Sequence, residues 1–377
     1  MKKISFLLAG IIIAGMTLQA QDATTLLNEG VVLKNQKKVV EALDKFKKAL
    51  ALKPDYTEAM YEMGWCQNDL KEYTSAIASL RKARVGWPTI PKVHFELGYA
   101  FDKNGNTDSA IASLQKCLQY KTDYSLAWKQ LGTIYYTKDK IEDALLCYNN
   151  YERAAKDSIK DYLYFYRKGF CYNAAKKYDS ALVPLNRSSQ LKADYLNTWL
   201  EMGFAYSRLK KLDEAITYYK KAITVDPKSH VGYNGIGEVY RDYKKEMNEA
   251  MTWYLKALEV KPKERKACFG MGYCLNSQQK YADAIPYLRT AIAEEATYTA
   301  AWVELGYSLF KTGAYTEAEE KLKQALVLNS KNENARYYLV LMYVAQKNKA
   351  RAQEQVDELK KNGSKYVTEL QTKVSAL

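Results

Sequence analysis

The chain has 377 residues, 47% of them apolar, with 57 Lys and Arg against 43 Asp and Glu, two His, six Cys and a formal charge of +14. So much apolar content excludes a disordered polar chain, which buries too little to repay the entropy of ordering. Two histidines and no CxxC exclude a zinc centre of the usual spacing, and the length by itself suggests two or three domains.

In chain order the first element, "MKKISFLLAGIIIAGMTLQAQ", reads as a secretory signal peptide occupying residues 1–20. Lys2 and Lys3 form its basic start, the apolar run lasts from Ile4 to Met16, and Ala20 before Gln21 predicts the cleavage point. The run is too short to span a bilayer comfortably, and no Cys follows it to carry a lipid. The expectation is an exported bacterial protein, periplasmic or extracellular, with no transmembrane segment after cleavage.

From residue 23 the chain repeats itself. A shift of 34 aligns Gly30, Gly64, Gly98, Gly132, Gly169, Gly203, Gly237, Gly272 and Gly306, the spacing stretching to 37 once and 35 once. A second series follows each glycine by 12 or 13 residues, from Ala42 through Ala76, Ala110, Ala144, Ala181, Ala215, Ala250 and Ala284 to Ala318. The repeats run 23–56, 57–90, 91–124, 125–158, 162–195, 196–229, 230–264, 265–298 and 299–332, with a degenerate tenth at 333–362 and a cap at 363–377. Such a period overrides the estimate from length, because each unit buries its apolar face only against its neighbours; residues 21–377 form one expected array.

Within a repeat the pattern predicts two antiparallel helices, A and B. A glycine inside helix A costs about 1 kcal/mol relative to alanine, so Gly at position 8 and Ala at position 20 are expected where the helices approach closely. Trp128, Leu131 and Tyr135 show the large residues at helical spacing around that contact. Ala49, Ala83, Cys117 and Ala222 mark a third small position, and Pro54, Pro88, Pro227 and Pro262 stop helix B. Extra residues at Ser158 to Lys160 lengthen a loop, and one near Lys244 to Asn248 is expected to lengthen a turn. At the end Gly363 stops a helix, and Tyr366, Leu370 and Val374 line one side of the last.

The stretch "LNTWLEMGFAYSRLKKLDEAITYYKKAITVDPKS", with Trp199, Gly203, Tyr206, Ala215, Ala222 and Pro227, resembles the tetratricopeptide repeat family. The resemblance implies an all-α, right-handed superhelical solenoid of antiparallel helix pairs with a C-terminal capping helix. It also implies a concave face, lined by positions 5, 9 and 12 of helix A, that holds a protein or peptide. Here that stripe reads Tyr61, Trp65, Phe95, Tyr99, Tyr166, Phe170, Phe204, Phe269, Tyr273, Tyr307 and Phe310. Among the rings stand polar groups able to bond a peptide: Asn68, Asp102, Asn173, Arg208, Asn234, Arg241 and Asn276. The family's clamp for acidic chain ends is not reproduced, since Lys129 is followed four residues on by Thr133 where Asn is needed.

Nothing in the chain points to catalysis. His94 sits at a core position, His230 begins a repeat, and no Gly-x-Ser-x-Gly elbow or phosphate loop is present. The glycines of "GYNGIG" and "FGMG" read as close-contact positions, and lysines such as those of "DKFKKAL" read as solvated helix B faces. All six cysteines fall on small core positions; Cys147 and Cys171, on helices expected to pack together, are the pair to inspect for a disulfide. The expected function is a non-catalytic exported scaffold, without cofactor or nucleic acid, that holds a partner along its aromatic face in envelope assembly or secretion. The alternative is a cell-wall glycan binder using the same rings.

Overall fold

The computed structural model describes residues 21–156 and 159–377, so the leader expected at residues 1–20 lies outside the described part. Among the described residues every regular element is helical. The described residues group into two compact units, one up to Lys177 and the other Tyr178–Leu377. In the first, residues 21–35 are helical (α1), followed by Val39–Leu52 (α2), Thr57–Asp69 (α3), Tyr73–Gly86 (α4), Pro91–Lys103 (α5), Thr107–Tyr120 (α6), Ser125–Thr137 (α7), Ile141–Ala155 (α8) and Tyr162–Ala174 (α9). The second begins with Tyr178–Leu191 (α10), Leu196–Arg208 (α11), Leu212–Val225 (α12) and His230–Glu238 (α13). It continues with Met247–Val260 (α14), Arg265–Ser277 (α15), Tyr281–Glu294 (α16), Thr299–Lys311 (α17), Tyr315–Leu328 (α18), Glu333–Ala345 (α19), Lys349–Lys361 (α20) and Val367–Ser375 (α21). Helices pack in consecutive pairs, α3 on α4 and α5 on α6 in the first unit, α11 on α12 and α17 on α18 in the second.

One local device closes most A helices and sends the chain back along B. The N–H of Glu72 reaches the carbonyl of Gln67 at 2.8 Å, that of Lys211 reaches Tyr206 at 2.9 Å, and that of Ala314 reaches Leu309 at 2.9 Å. These are the six-to-one bonds of a Schellman ending, and they need a left-handed residue just before the donor. Gly313 takes that conformation at φ +85°, but Lys71 and Lys210 take it at +63° and +60°, so most turns of this kind carry side-chain strain.

The glycine series finds its reason in packing. A Cβ on Gly98 would stand 2.7 Å from Leu114 Cγ and 3.3 Å from the Ala110 carbonyl, and one on Gly203 would stand 2.7 Å from the Tyr219 ring. The expected approach of position 8 to position 20 is therefore present, but the larger occupant of the space is the bulky side chain at position 24 of helix B. Ala76, Ala110, Ala215 and Ala318 are fully buried at position 20, and Ala83, Ala222 and Ala325 at position 27. Position 4 latches the turn between repeats. The indoles of Trp128, Trp199 and Trp302 donate to the carbonyls of Thr122, Ala193 and Ala296 at 2.7, 2.7 and 2.8 Å, and His94 Nε2 lies 2.8 Å from Pro88 O.

One expectation changes. The extra residue near Lys244 does not simply lengthen a turn: Val239–Lys244 forms a π-helical segment that continues α13, ending at left-handed Lys245. A wider helix absorbs one residue without breaking the pairing of α13 with α14. Cys147 and Cys171 are free thiols, as are the other four cysteines. Cys147 packs in the cluster of Leu131 and Ile134, whereas Cys171 belongs to that of Tyr148 and Tyr164, and burial pushes both thiols up to about 12. At the C-terminal end Gly363 turns at φ +68°, and Leu370 and Val374 are fully buried against the last pair. No helix among the described residues is long and apolar enough to cross a membrane.

Candidate functional site

The stripe residues of helix A lie along the seams between neighbouring repeats. Three rings at position 9 meet, edge-on, a tyrosine that opens the B helix of the preceding repeat. Tyr99 meets Tyr73 at 6.4 Å and 70°, Phe204 meets Tyr178 at 6.0 Å and 77°, and Tyr307 meets Tyr281 at 5.5 Å and 87°. Phe170 meets instead Tyr136, near the end of the preceding A helix, at 5.4 Å and 81°, and packs on Tyr166 at 6.4 Å. Rings at position 5 lean instead on the aromatic that closes their own repeat: Phe95 on Tyr124 at 5.1 Å, Phe269 on Tyr298 at 4.9 Å, Tyr61 on Trp87 at 6.0 Å. Edge-to-face geometry of this kind contributes beyond the area buried.

Exposure separates these residues. Tyr61 is buried at 7%, with Lys92 Nζ 4.2 Å from its ring centre, whereas Phe204 is 40% exposed. Trp65, Phe95, Tyr99, Tyr166, Phe170, Phe269, Tyr273, Tyr307 and Phe310 are half-buried. Cations already sit on some: Lys34 is 5.1 Å from the Trp65 ring, and Arg241 lies 5.4 and 5.6 Å from the rings of Phe269 and Tyr273. Arg241 also grips Asp242 with two bonds of 2.6 and 2.8 Å, and Arg208, exposed, reaches the hydroxyls of Tyr178 and Tyr243.

The polar groups expected to meet a peptide backbone are engaged within the protein, Arg208 and Arg241 as above and Asn234 with Glu264 Oε2 at 2.7 Å. Asn68 Nδ2 donates to the carbonyl of Glu96 at 3.1 Å and to its Oε2 at 2.8 Å; Asn276 does the same to Glu304 at 3.2 and 2.8 Å. Asp102 accepts from Gln130 Nε2 at 2.6 Å. Each pair joins position 12 of one repeat to position 6 of the next, 28 residues later, and Lys34 with Glu62 continues the ladder. That spacing was the missed sequence signal. Burial pushes the Glu96 carboxyl up to about 7 and raises that of Glu304, the Asn amide opposing the shift in both.

Among the described residues a recess opens beside the A helices of each unit. In the first unit a hollow of about 250 Å³ is walled by Trp65, Asn68, Tyr73, Phe95, Glu96 and Tyr99. In the second unit one of about 320 Å³ is walled by Phe204, His230, Asn234, Gly235, Glu238 and Glu264, among others. There position 6 is glycine because the Tyr219 ring takes its place: a Cβ at Gly235 would stand 2.5 Å from that ring. Tyr254 is held likewise between Gly237 and Gly270, whose added Cβ atoms would stand 2.6 and 2.4 Å away. A wider and shallower hollow of about 580 Å³ lies among the B helices beside Trp253, whose ring Lys256 approaches to 4.3 Å. No group of His, Cys and acidic side chains among the described residues could hold a metal ion.

Four sequence models described as tetratricopeptide repeat match residues 27–91 and 270–333, 91–124 and 232–264, 197–229, and 309–377. The Hsp70-Hsp90 organising protein of Plasmodium falciparum (isolate 3D7) is 27% identical over 125 residues, which are 31% of this chain and 22% of that protein. The chain thus spans about a fifth of that relative's length. Among solved structures, the APC/C hetero-tetramer Cut9-Hcn1 contains a chain similar over 97% of this one and 98% of its own, at 13% identity and a TM-score of 0.51. PilW, a type IV pilus biogenesis factor, is similar over 55% of this chain and 97% of its own, at 20% identity and a TM-score of 0.50. These two likenesses concern the fold alone. The repeat matches, the paired helices and the glycine packing agree, and the chain belongs to the tetratricopeptide repeat family.

Proposed function

We propose that this chain is a non-catalytic scaffold that holds a partner protein or peptide along the A-helix face, in the exported space of a bacterium. The observation that carries the reading is the half-buried ring series, which opens into a recess in each unit. Rings held in place by their neighbours have little entropy left to lose, so a partner gains their remaining area cheaply. The name of one relative, an Hsp70-Hsp90 organising protein, is of the same kind. Export rests on the leader-like residues 1–20, and an envelope assembly role is the finer part of the proposal. Glycan stacking, the alternative, needs open ring faces, and of the named stripe rings only Phe204 is classed as exposed.

The test is site-specific photocrosslinking in the exported fraction, with a benzophenone amino acid replacing Phe204, or replacing Val85 or Val327 on B helices, which are 82% and 77% exposed. A discrete protein adduct from position 204, absent at 85 and 327, is the expected result. Adducts from the B-helix positions alone would move the docking surface to the other face. Protein found only in the cytosol would remove export from the proposal, and protease-resistant polysaccharide adducts would favour the glycan reading.

A further inference from the structure

The aromatic stripe stops in α13. Its two stripe positions hold Asn234 and Glu238 instead of rings, and Gly235 between them has no side chain to fill the space. The recess this leaves differs in character from the rest of the molecule. Its wall includes the carboxylates of Glu201, Glu238 and Glu264 against a single ammonium, Lys266, in a chain whose overall charge is +14. The excess of negative charge is therefore local and built by position.

Two of these groups are held ready. Glu264 Oε2 accepts the backbone N–H of Ala267 at 2.7 Å, capping α15, and the Asn234 amide at 2.7 Å, so its carboxylate cannot swing away. The Asn234 side chain, in a residue only 4% exposed, gives its amide to that bond and leaves its carbonyl oxygen Oδ1 without a donor. A buried acceptor left without a donor is costly, and a ligand able to supply one recovers that cost. Lys266 Nζ stands 3.7 Å from Glu238 Oε1, an ion pair too long for a good hydrogen bond and open to exchange. His230 adds no competing charge near neutrality, since burial lowers its pKa.

We propose that this recess takes an arginine side chain of the partner; the assignment rests on the A-helix face being the docking surface. A guanidinium has five N–H donors in one plane, enough to meet Asn234 Oδ1 and a carboxylate together. The exposed face of Phe204 at the rim suits the same flat cation, which stacks on aromatic rings and sheds water more readily than an ammonium. The first-unit recess shares the Asn oxygen without a donor, on Asn68, and the Asn–Glu bond, but burial pushes its Glu96 carboxyl up to about 7, so that recess offers a cation less negative charge near neutrality.

The experiment uses the chain from Gln21 onward and an array of nonapeptides with a central Arg, citrulline, Lys or Glu in otherwise randomised sequences. Arg peptides are expected to be retained, and citrulline, which keeps the shape and loses the charge, to weaken binding about tenfold. Glu238→Gln should weaken the Arg peptides similarly, and Lys266→Ala, which removes the resident competitor, should tighten them about threefold. Circular dichroism confirms that both variants, altered on partly exposed side chains, keep their helices. Peptides bound without regard to Arg, with neither variant having an effect, would overturn the arginine site while leaving the docking face intact. Lys binding as tightly as Arg would overturn the choice of a planar cation. No peptide retained under any condition would overturn the docking face, and this site with it.

Discussion

The junction of α3 with α5 in the first unit and that of α11 with α13 in the second use the same helices at the same spacing, yet present different surfaces. In the first, Leu80 fills the space beside Gly64, leaving room for Glu96 on the next helix, which Asn68 then bonds. In the second, the larger Tyr219 fills the space beside Gly203 and extends to the next helix, so Gly235 stands where Glu96 does in the first. One core side chain of greater volume thus removes a rung of the polar ladder and opens an acidic recess on the surface. Tyrosine at that core position does not always act this way: Tyr148 is followed by Arg167, and its ring meets Tyr164 edge-on at 5.3 Å instead. The partner chosen by each bulky residue, rather than the repeat pattern, sets the character of the exposed face.

The largest effect should come from restoring a side chain where the second junction excludes one. Gly235→Ala places a Cβ 2.5 Å from the Tyr219 ring, and overpacking of this kind should cost about 2–3 kcal/mol in urea denaturation. Adding Tyr219→Leu, which rebuilds the Leu80 arrangement, should recover part of the loss. An unchanged midpoint for Gly235→Ala alone would break the account of why the recess exists.

A smaller effect probes the rung that only the first junction keeps. Glu96 has its pKa raised from 4.5 to about 7, so the folded form holds the proton more tightly than the unfolded chain. Its contribution therefore declines as pH climbs from 4.5 toward 7, and the full penalty is present above the folded value. Glu96→Gln should be more stable than the parent by about 2 kcal/mol at pH 8 and equal to it near pH 4. Hydrogen exchange of the α5 amides against pH checks this, and a parallel fall in both proteins would sink it.

The smallest effect should be the same at both junctions. Lys71 and Lys210 turn at φ +63° and +60°, and glycine at either place should add about 1 kcal/mol by removing left-handed strain. Equal gains by thermal melting would show that the junctions share a backbone and differ only in side chains; a gain at one alone would put a difference in the turn itself.

Much of this was legible in the linear chain. The paired helices, the buried small positions such as Ala76 and Ala215, the proline stops and the closing turn at Gly363 all follow from a period within one repeat. The ring stripe was legible as positions, but its edge-on packing was not, because Tyr73 and Tyr99 belong to different repeats and meet only when these stack. For the same reason Asn68 and Asn276 read as free donors, although their partners lay 28 residues further on. The extra residue beside Lys244 was visible in the spacing; its absorption into a π-helical segment was decided by the packing of α13 against α14.

The sequence by itself determined the helical repeat and the positions at which rings recur along the A helices, because those depend on periodicity and backbone preference that a repeat satisfies within itself. Only the tertiary structure decided which rings are buried, which polar groups are already bonded and where a recess opens, because these depend on matching side-chain volumes across repeats. Tyr219 against Gly235 is a match that no single repeat contains.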